Sequence, residues 1–199
     1  MDKFDNITNL KTLPDARNRE NLAVWWQEYH YGNPAHERLL WKNIPGGAWD
    51  RDVEPGQVRV FDAIWTGNPV PFVVLAEWPK EDTAHPGVKR WVVCAFSSLQ
   101  RPAITAEVEA AEMPPFSVVA TWNSAILRSN QIDSCSEYLF DLEEWIRQYV
   151  LEGYKTWALR KEVPEYLYPF VGAPLTRLDD PRHEFLAAEA RRVGSVFHS

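Results

Sequence analysis

The chain has 199 residues, of which 45% are hydrophobic, so it is long enough to bury the core of one domain. Asp and Glu number 28 against 21 Lys and Arg, and the formal net charge is −7. This acidity argues against nucleic acid as a partner, because such binding needs cationic side chains on the phosphates. No stretch is apolar over the ~18 residues that a membrane-spanning helix requires. The unusual feature is the presence of 10 tryptophans.

The first part of the chain, residues 1–50, is predicted to form a helical hairpin. Its apolar side chains recur at intervals of three and four, which is typical of one helical face. These side chains are Leu22, Trp25, Trp26 and Tyr29. The first helix is expected over residues 16–30, and Pro34 begins a shorter helix that continues to Trp41.

The middle part, residues 55–133, is predicted to hold about five strands joined by short turns. In chain order the strands contain Val58, Phe72, Trp91, Ile104 and Phe116. Most consecutive strands have no helix between them, which favours an antiparallel arrangement. In the fourth strand Glu107 and Glu109 alternate with apolar residues, so both carboxylates are expected to face water.

The C-terminal part is predicted to be mainly helical. Ser134 and Glu137 have the spacing of a capping box, so a long helix is expected to begin there. The apolar face of this helix, which includes Trp145, Tyr149 and Trp157, is expected to pack on the sheet or on a partner. The Tyr- and Pro-rich segment of residues 165–170 is expected to run extended across the surface.

These elements predict an α+β fold. A curled antiparallel sheet or small SH3-like barrel would be covered by the N-terminal hairpin and by C-terminal helices, the last of which begins at Asp180. We expect a single domain over residues 1–199, with residues 134–199 as its C-terminal part.

No motif in the chain fixes a reaction. The five histidines lack metal-ligand spacing, and neither a phosphate-binding loop nor a nucleophile elbow is present. We therefore expect no metal and no cofactor. Of the two cysteines, Cys94 lies in an apolar run and is predicted to be a buried free thiol, which favours a reducing compartment. The first residues lack the pattern of a secretory signal, so the expected location is the cytoplasm.

Several short segments of residues 55–133 resemble the SH3-like barrel of PemK/MazF-type toxins, which cleave RNA. The segments are Pro55–Val58, Val70–Ala76, Val93–Ser98 and Pro115–Val119. The resemblance implies a catalytic Thr or Ser at the end of the third strand, where this chain has Ser97. It also implies an Arg before the proline of the second strand, where this chain has Val70. A nuclease without that cation loses stabilisation of its transition state, so the resemblance implies the fold without the activity.

The favoured hypothesis is a soluble, acidic, non-enzymatic protein-interaction module, such as an inhibitor, an immunity-type protein or a subunit of an assembly. The partner would be another protein, a basic one included, and a homo-oligomer is left open. Aromatic side chains in loops are the expected contact residues, because aromatics bury a large area with few rotatable bonds. The candidates are Trp49, Tyr166, Tyr168 and Phe170.

Two alternatives belong to other classes. The first is an endoribonuclease that uses Ser97, with Arg59, Arg90 or Arg101 in place of the missing arginine. The second is a small-ligand binder with an aromatic platform on the strands. The tryptophans of such a platform would be Trp65, Trp78, Trp91 and Trp122.

Overall fold

A computed structural model gives the structure of the protein. It describes residues 51–61, 69–80, 82–97, 102–110, 116–176, 178–180 and 182–197. The predicted N-terminal hairpin and Trp49 lie outside the described residues, as do Trp65 and Arg101.

The described residues contain one antiparallel sheet of six strands. Along the sheet the strands follow the order β4-β5-β3-β2-β1-β6, so β4 and β6 form its two edges and the sheet does not close into a barrel. The strands are β1 (Gln57–Phe61), β2 (Val70–Glu77), β3 (Arg90–Phe96), β4 (Glu107–Glu109), β5 (Val118–Arg128) and β6 (Ser136–Asp141). Together with the helices, this arrangement confirms the predicted α+β class and the curled antiparallel sheet.

Three α-helices and one 3₁₀ segment accompany the sheet in the described part of the chain. They are α1 (Ser129–Cys135), α2 (Glu144–Ala158), the 3₁₀ segment (Glu165–Phe170) and α3 (Arg182–Phe197). The final helix therefore begins where Asp180 and the following proline predict it. Within the described residues, no helix combines the length and apolar character needed to cross a membrane.

Both faces of the sheet are covered. Successive side chains of a strand point to opposite faces, so a strand buried on both sides is apolar at nearly every position, as β2 and β3 are. On one face the apolar cluster includes Val73, Leu75, Cys94, Ile146 and Val150. On the other face the cluster includes Phe72, Val74, Val93, Ile132 and Val193. Helix α2 thus packs on the first face, while α1 and α3 pack on the second.

The prediction of a long helix from Ser134 is wrong. Residues Ser136–Asp141 form the edge strand β6, which pairs with β1 and sets Val58 opposite Phe140, while the helix begins only at Glu144. Tyr, Leu and Phe in this segment favour a strand that can pair with an existing edge. The apolar residues of β6 and those of α2 together have the spacing of one helical face, and for this reason the sequence predicts a single helix.

The segment Glu165–Phe170 is also different from its prediction, because it forms a 3₁₀ helix and does not run extended across the surface. Its first turn is closed by a hydrogen bond from Leu167 N to Pro164 O at 2.9 Å. Leu167 is fully buried in the cluster beneath α2. Leu167 therefore anchors the segment against the helix and leaves the neighbouring tyrosines outside.

Candidate functional site

The predicted contact residues of the 3₁₀ segment are accessible. Tyr166 is 53% exposed and Tyr168 is 54% exposed, whereas Phe170 is half-buried. These values agree with a surface role but do not by themselves define a site, since single exposed aromatics are common.

The fold adds two further aromatic residues to Tyr166 and Phe170. The ring of Tyr149 lies 4.7 Å from that of Phe170 and 6.3 Å from that of Tyr166. The ring of Trp145, half of it exposed, lies 5.8 Å from Tyr149 and 6.5 Å from Phe170. These distances fall within the range of aromatic contacts. We call the set Trp145, Tyr149, Tyr166 and Phe170 the aromatic surface.

Trp145 and Tyr149 were predicted to lie on one apolar helix face that packs on the sheet or on a partner. In the structure the buried positions of α2 are Ile146, Val150, Gly153 and Thr156. Trp145 therefore flanks the buried stripe, and Trp157 at the other end of the helix is 51% exposed. Neither tryptophan is buried against the sheet, and packing on a partner, the other possibility, stays a prediction. The spacing of Tyr149 four residues after Trp145 would have signalled their contact on one helix face.

Acidic groups lie next to the aromatic surface. The Trp145 indole N–H donates to the Glu143 carboxylate, and Glu144 accepts hydrogen bonds from Arg147 and Gln148. Glu144 and Arg147 also line a cleft of about 680 Å³, which we call the acidic cleft. Its carboxylates are Asp52, Glu54, Glu77, Asp133 and Glu144.

The acidic cleft keeps an excess of negative charge. Its two cations, Lys89 and Arg147, already pair with acids of the same cleft, Lys89 with Glu77 at 3.1 Å and Arg147 with its helix neighbour. Asp133 is also partly compensated, because its carboxylate lies 3.9 Å from the Arg59 guanidinium and burial raises its pKa, so the excess comes mainly from Asp52 and Glu54. Trp91, whose indole N–H donates to Ser129 Oγ at 3.0 Å, also lines the cleft. The cleft is therefore suited to cationic groups.

A second candidate site is buried at the end of β3. Ser97 is 1% exposed, and its side chain lies beside the carboxyl of Glu107, which is fully buried. Burial raises the pKa of Glu107 to about 7, against the opposing effect of hydrogen bonds from the backbone of Ala103 and from Ser97. The nearby carboxylate of Glu189 raises the pKa further.

The prediction that Glu107 faces water is therefore wrong. Residues 103–106 turn back over β4, with Glu107 N donating to Ile104 O at 3.0 Å and Ala103 N donating to Glu107 Oε2 at 2.7 Å. The turn covers the carboxyl and leaves Glu109 exposed. The other oxygen, Glu107 Oε1, makes no hydrogen bond of ordinary geometry, and neither does Nε1 of the adjacent Trp122.

A carboxyl with a pKa near neutrality can act as a proton donor or acceptor, which is the property of a general acid or base. Glu107 and Ser97 lack the access to solvent that a substrate would need in this conformation, since both are buried. The two side chains therefore have the properties of an acid–base pair, but no substrate can reach them in this conformation.

The arginines proposed as replacements for a missing phosphate-binding group are not equivalent. Arg59 is fully buried, and its guanidinium donates to Gln57 Oε1 at 3.0 Å and to Ser136 Oγ at 3.1 Å. It is therefore held inside the fold. Arg90 donates to the Lys80 carbonyl at 2.8 Å, on the surface. Val70, at the position where the toxin family has its arginine, is 1% exposed.

The strand tryptophans do not form one platform among the described residues. Trp78 packs beside the cluster under α2, Trp91 is buried in the cluster on the opposite face, and Trp122 packs against a third cluster around Phe185. The predicted free thiol of Cys94 is buried as expected, and burial raises its pKa. No group of three or more metal-ligating side chains occurs in the part of the chain that the structure describes.

No model of a known protein family matches the chain, and no curated protein sequence is similar to it. The fold is weakly similar to solved structures of endoribonucleases, each 17% identical in sequence. An endoribonuclease from a mycobacterial species has a TM-score of 0.40 and covers 57% of this chain and 97% of its own. A mycobacterial endoribonuclease in complex with its cognate antitoxin has a TM-score of 0.39, with 56% and 99% covered.

The MazE–MazF structure from Deinococcus radiodurans has a TM-score of 0.41 and covers 57% of this chain and 100% of its own. The partial resemblance to the PemK/MazF-type fold that the strand segments suggested is confirmed at this distant level. A likeness with TM-scores near 0.4 does not show that this chain has the activity of those proteins.

Proposed function

We propose that this protein is a non-enzymatic interaction module that binds a basic segment of a partner protein through the aromatic surface. The observation that carries the proposal is the contact of four aromatic side chains on α2 and the 3₁₀ segment, two of them half-exposed, beside an acidic cleft. Interface hot spots are enriched in Trp and Tyr, and cations bind well over aromatic faces.

The acidic cleft supports a basic partner in particular. It shares helix α2 with the aromatic surface, because Glu144 and Arg147 line the cleft one position before and two positions after Trp145. A partner segment that lays an apolar or aromatic group on the aromatic surface could place a Lys or Arg in the cleft. One of the similar solved structures holds an endoribonuclease with its cognate antitoxin, so a toxin–antitoxin pair is one concrete form of this proposal.

The test is affinity purification from the native cell with tagged wild-type protein and a Trp145→Ala/Tyr166→Ala variant. Removing two hot-spot residues should weaken binding by about 30-fold or more, which corresponds to ~2 kcal/mol. Trp157→Ala is the matched control, because it removes an equally exposed tryptophan from the same helix outside the aromatic surface. Binding should also weaken as salt screens the charges. Equal recovery of the partner by the double variant would refute the proposal.

An endoribonuclease is the second candidate. It is favoured by the Ser97 hydroxyl beside a carboxyl whose pKa lies near 7, and the similar solved structures are described as endoribonucleases. Incubation of RNA with wild type and Ser97→Ala tests it. Cleavage that is lost in Ser97→Ala would replace the interaction proposal, whereas no cleavage, or equal cleavage by both, would remove this candidate.

A further inference from the structure

A second cleft of about 610 Å³ lies at the C-terminal end of α2, far along the helix from Trp145. Its volume falls in the range of small-molecule sites. The polar and aromatic residues of its lining are Thr105, Thr156, Trp157, Arg160 and Lys161. We call it the cationic cleft, because both charged residues that line it among the described residues are cations.

The charge of this cleft is not neutralised from within. Neither Arg160 nor Lys161 forms an ion pair or a side-chain hydrogen bond with any residue that the structure describes. In the acidic cleft, by contrast, both cations pair with carboxylates. Two adjacent uncompensated cations on a chain of net charge −7 favour an anionic ligand.

Cations at a helix C-terminus have an ordinary explanation, because they interact favourably with the helix dipole and its last carbonyls. The helix dipole does not explain the backbone conformation of Arg160. The hydrogen bonds from Lys161 N to Thr156 O at 2.9 Å and from Arg160 N to Trp157 O at 3.1 Å form a Schellman motif. Arg160 occupies its left-handed position with φ of 52°, where glycine is the usual residue.

An arginine at this position therefore costs stability that a glycine would not. Dipole interaction alone does not require the strained position, because Lys161 or a residue within the last turn would serve equally. Residues that break a local rule of stability are found preferentially at functional sites. The strain at Arg160 and its position in a cleft therefore both favour a functional role for this residue.

The cleft also offers a flat apolar surface. Trp157 is 51% exposed and makes no ring or cation contact with any described residue, whereas Trp145 contacts two other rings. An exposed indole face stacks with planar rings and tolerates different bases. A ring on Trp157 and a negative group on Arg160 and Lys161 would complement both features of the lining.

We propose that the cationic cleft binds a nucleoside monophosphate, with the base stacked on Trp157 and the phosphate paired with Arg160 and Lys161. The site shares no residue with the aromatic surface or with the Ser97–Glu107 pair. Its test is therefore independent of the test of the proposed function.

Calorimetric titration of the full chain with AMP tests the proposal. The wild type should bind AMP with a Kd below about 1 mM, whereas adenosine alone and inorganic phosphate alone should each bind at least about tenfold more weakly. Trp157→Ala should weaken AMP binding by about tenfold or more, and Trp145→Ala, the matched control, should leave it unchanged.

Arg160→Gly separates binding from folding. Glycine suits the left-handed position, so this variant should have a raised melting temperature and yet bind AMP at least about tenfold more weakly. The proposal is overturned if the wild type does not bind AMP below about 1 mM, or if Arg160→Gly and Trp157→Ala bind it as the wild type does. It is also overturned if adenosine or phosphate alone binds as tightly as AMP.

Discussion

Replacing Glu107 with glutamine should remove a pH-dependent component from the stability of this fold. The carboxyl is fully buried, its Oε2 accepts from Ala103 N, and its Oε1 makes no hydrogen bond of ordinary geometry. Burial raises its pKa to about 7 from an ordinary value of 4.5. Between these two values the folded protein binds a proton that the unfolded chain has released, so stability falls as the pH rises.

The magnitude follows from the two pKa values. A difference of one in pKa corresponds to about 1.4 kcal/mol, so ionising Glu107 costs the folded state at most ~3 kcal/mol above pH 7. Glutamine removes that charge but brings an amide N–H₂ that lacks an acceptor, which costs about 1–2 kcal/mol. Glu107→Gln should therefore stabilise the protein by ~1–2 kcal/mol at pH 8. At pH 5 it should destabilise it by about 1 kcal/mol, because the wild-type carboxyl is then neutral.

Urea unfolding followed by tryptophan fluorescence between pH 4.5 and 8.5 measures this effect. The wild type should lose stability up to about pH 7 and then level off, while Glu107→Gln should lose this component. Glu109→Gln is the matched control on the same strand, and its exposed carboxyl should leave the pH profile unchanged. An unchanged pH profile in Glu107→Gln, or a variant less stable than wild type at pH 8, would refute the reasoning.

Three further predictions concern buried groups. Arg182→Ala should destabilise the fold by about 3–5 kcal/mol in chemical denaturation, because it strands the buried Asp180 carboxylate; a loss below about 1 kcal/mol would contradict this. Gly153→Ala should lower stability by ~1–3 kcal/mol, because the Cβ of the alanine would lie 2.5 Å from a methyl carbon on β4. An unchanged melting temperature in this variant would argue against that packing. Cys135 should react with a thiol reagent in the native state, while Cys94 should react only on unfolding, since burial raises the pKa of Cys94. Equal reaction rates of the two thiols in the native state would count against the fold.

The central strands were predictable because β2 and β3 are buried on both faces and therefore read as continuous apolar runs. The edge strand β6 was not, because its pairing with β1 joins residues about 80 positions apart, and local spacing carries no trace of such a partner. The same limit applies to Glu107. Alternation placed it on an exposed face, and only the turn of residues 103–106 over the strand buries it.

The candidate site was predictable in part. The 3₁₀ segment drew attention to Tyr166 and Phe170 through its composition, and both belong to the aromatic surface. Trp145 and Tyr149 were hidden among the apolar residues of α2, because a helical wheel does not show where the buried stripe ends. The decisive information was the position of the 3₁₀ segment against α2, which Leu167 fixes by its burial.

The most direct test of the interaction proposal places a photo-crosslinking phenylalanine analogue at position 166 of the full chain, in the native cell. Position 166 belongs to the aromatic surface, whereas position 157 lies on α2 outside that surface, is similarly exposed and serves as the control position. The proposal predicts a covalent adduct with one basic protein from position 166 and no adduct with that protein from position 157. The absence of an adduct at position 166, or the same adduct from both positions, would contradict it.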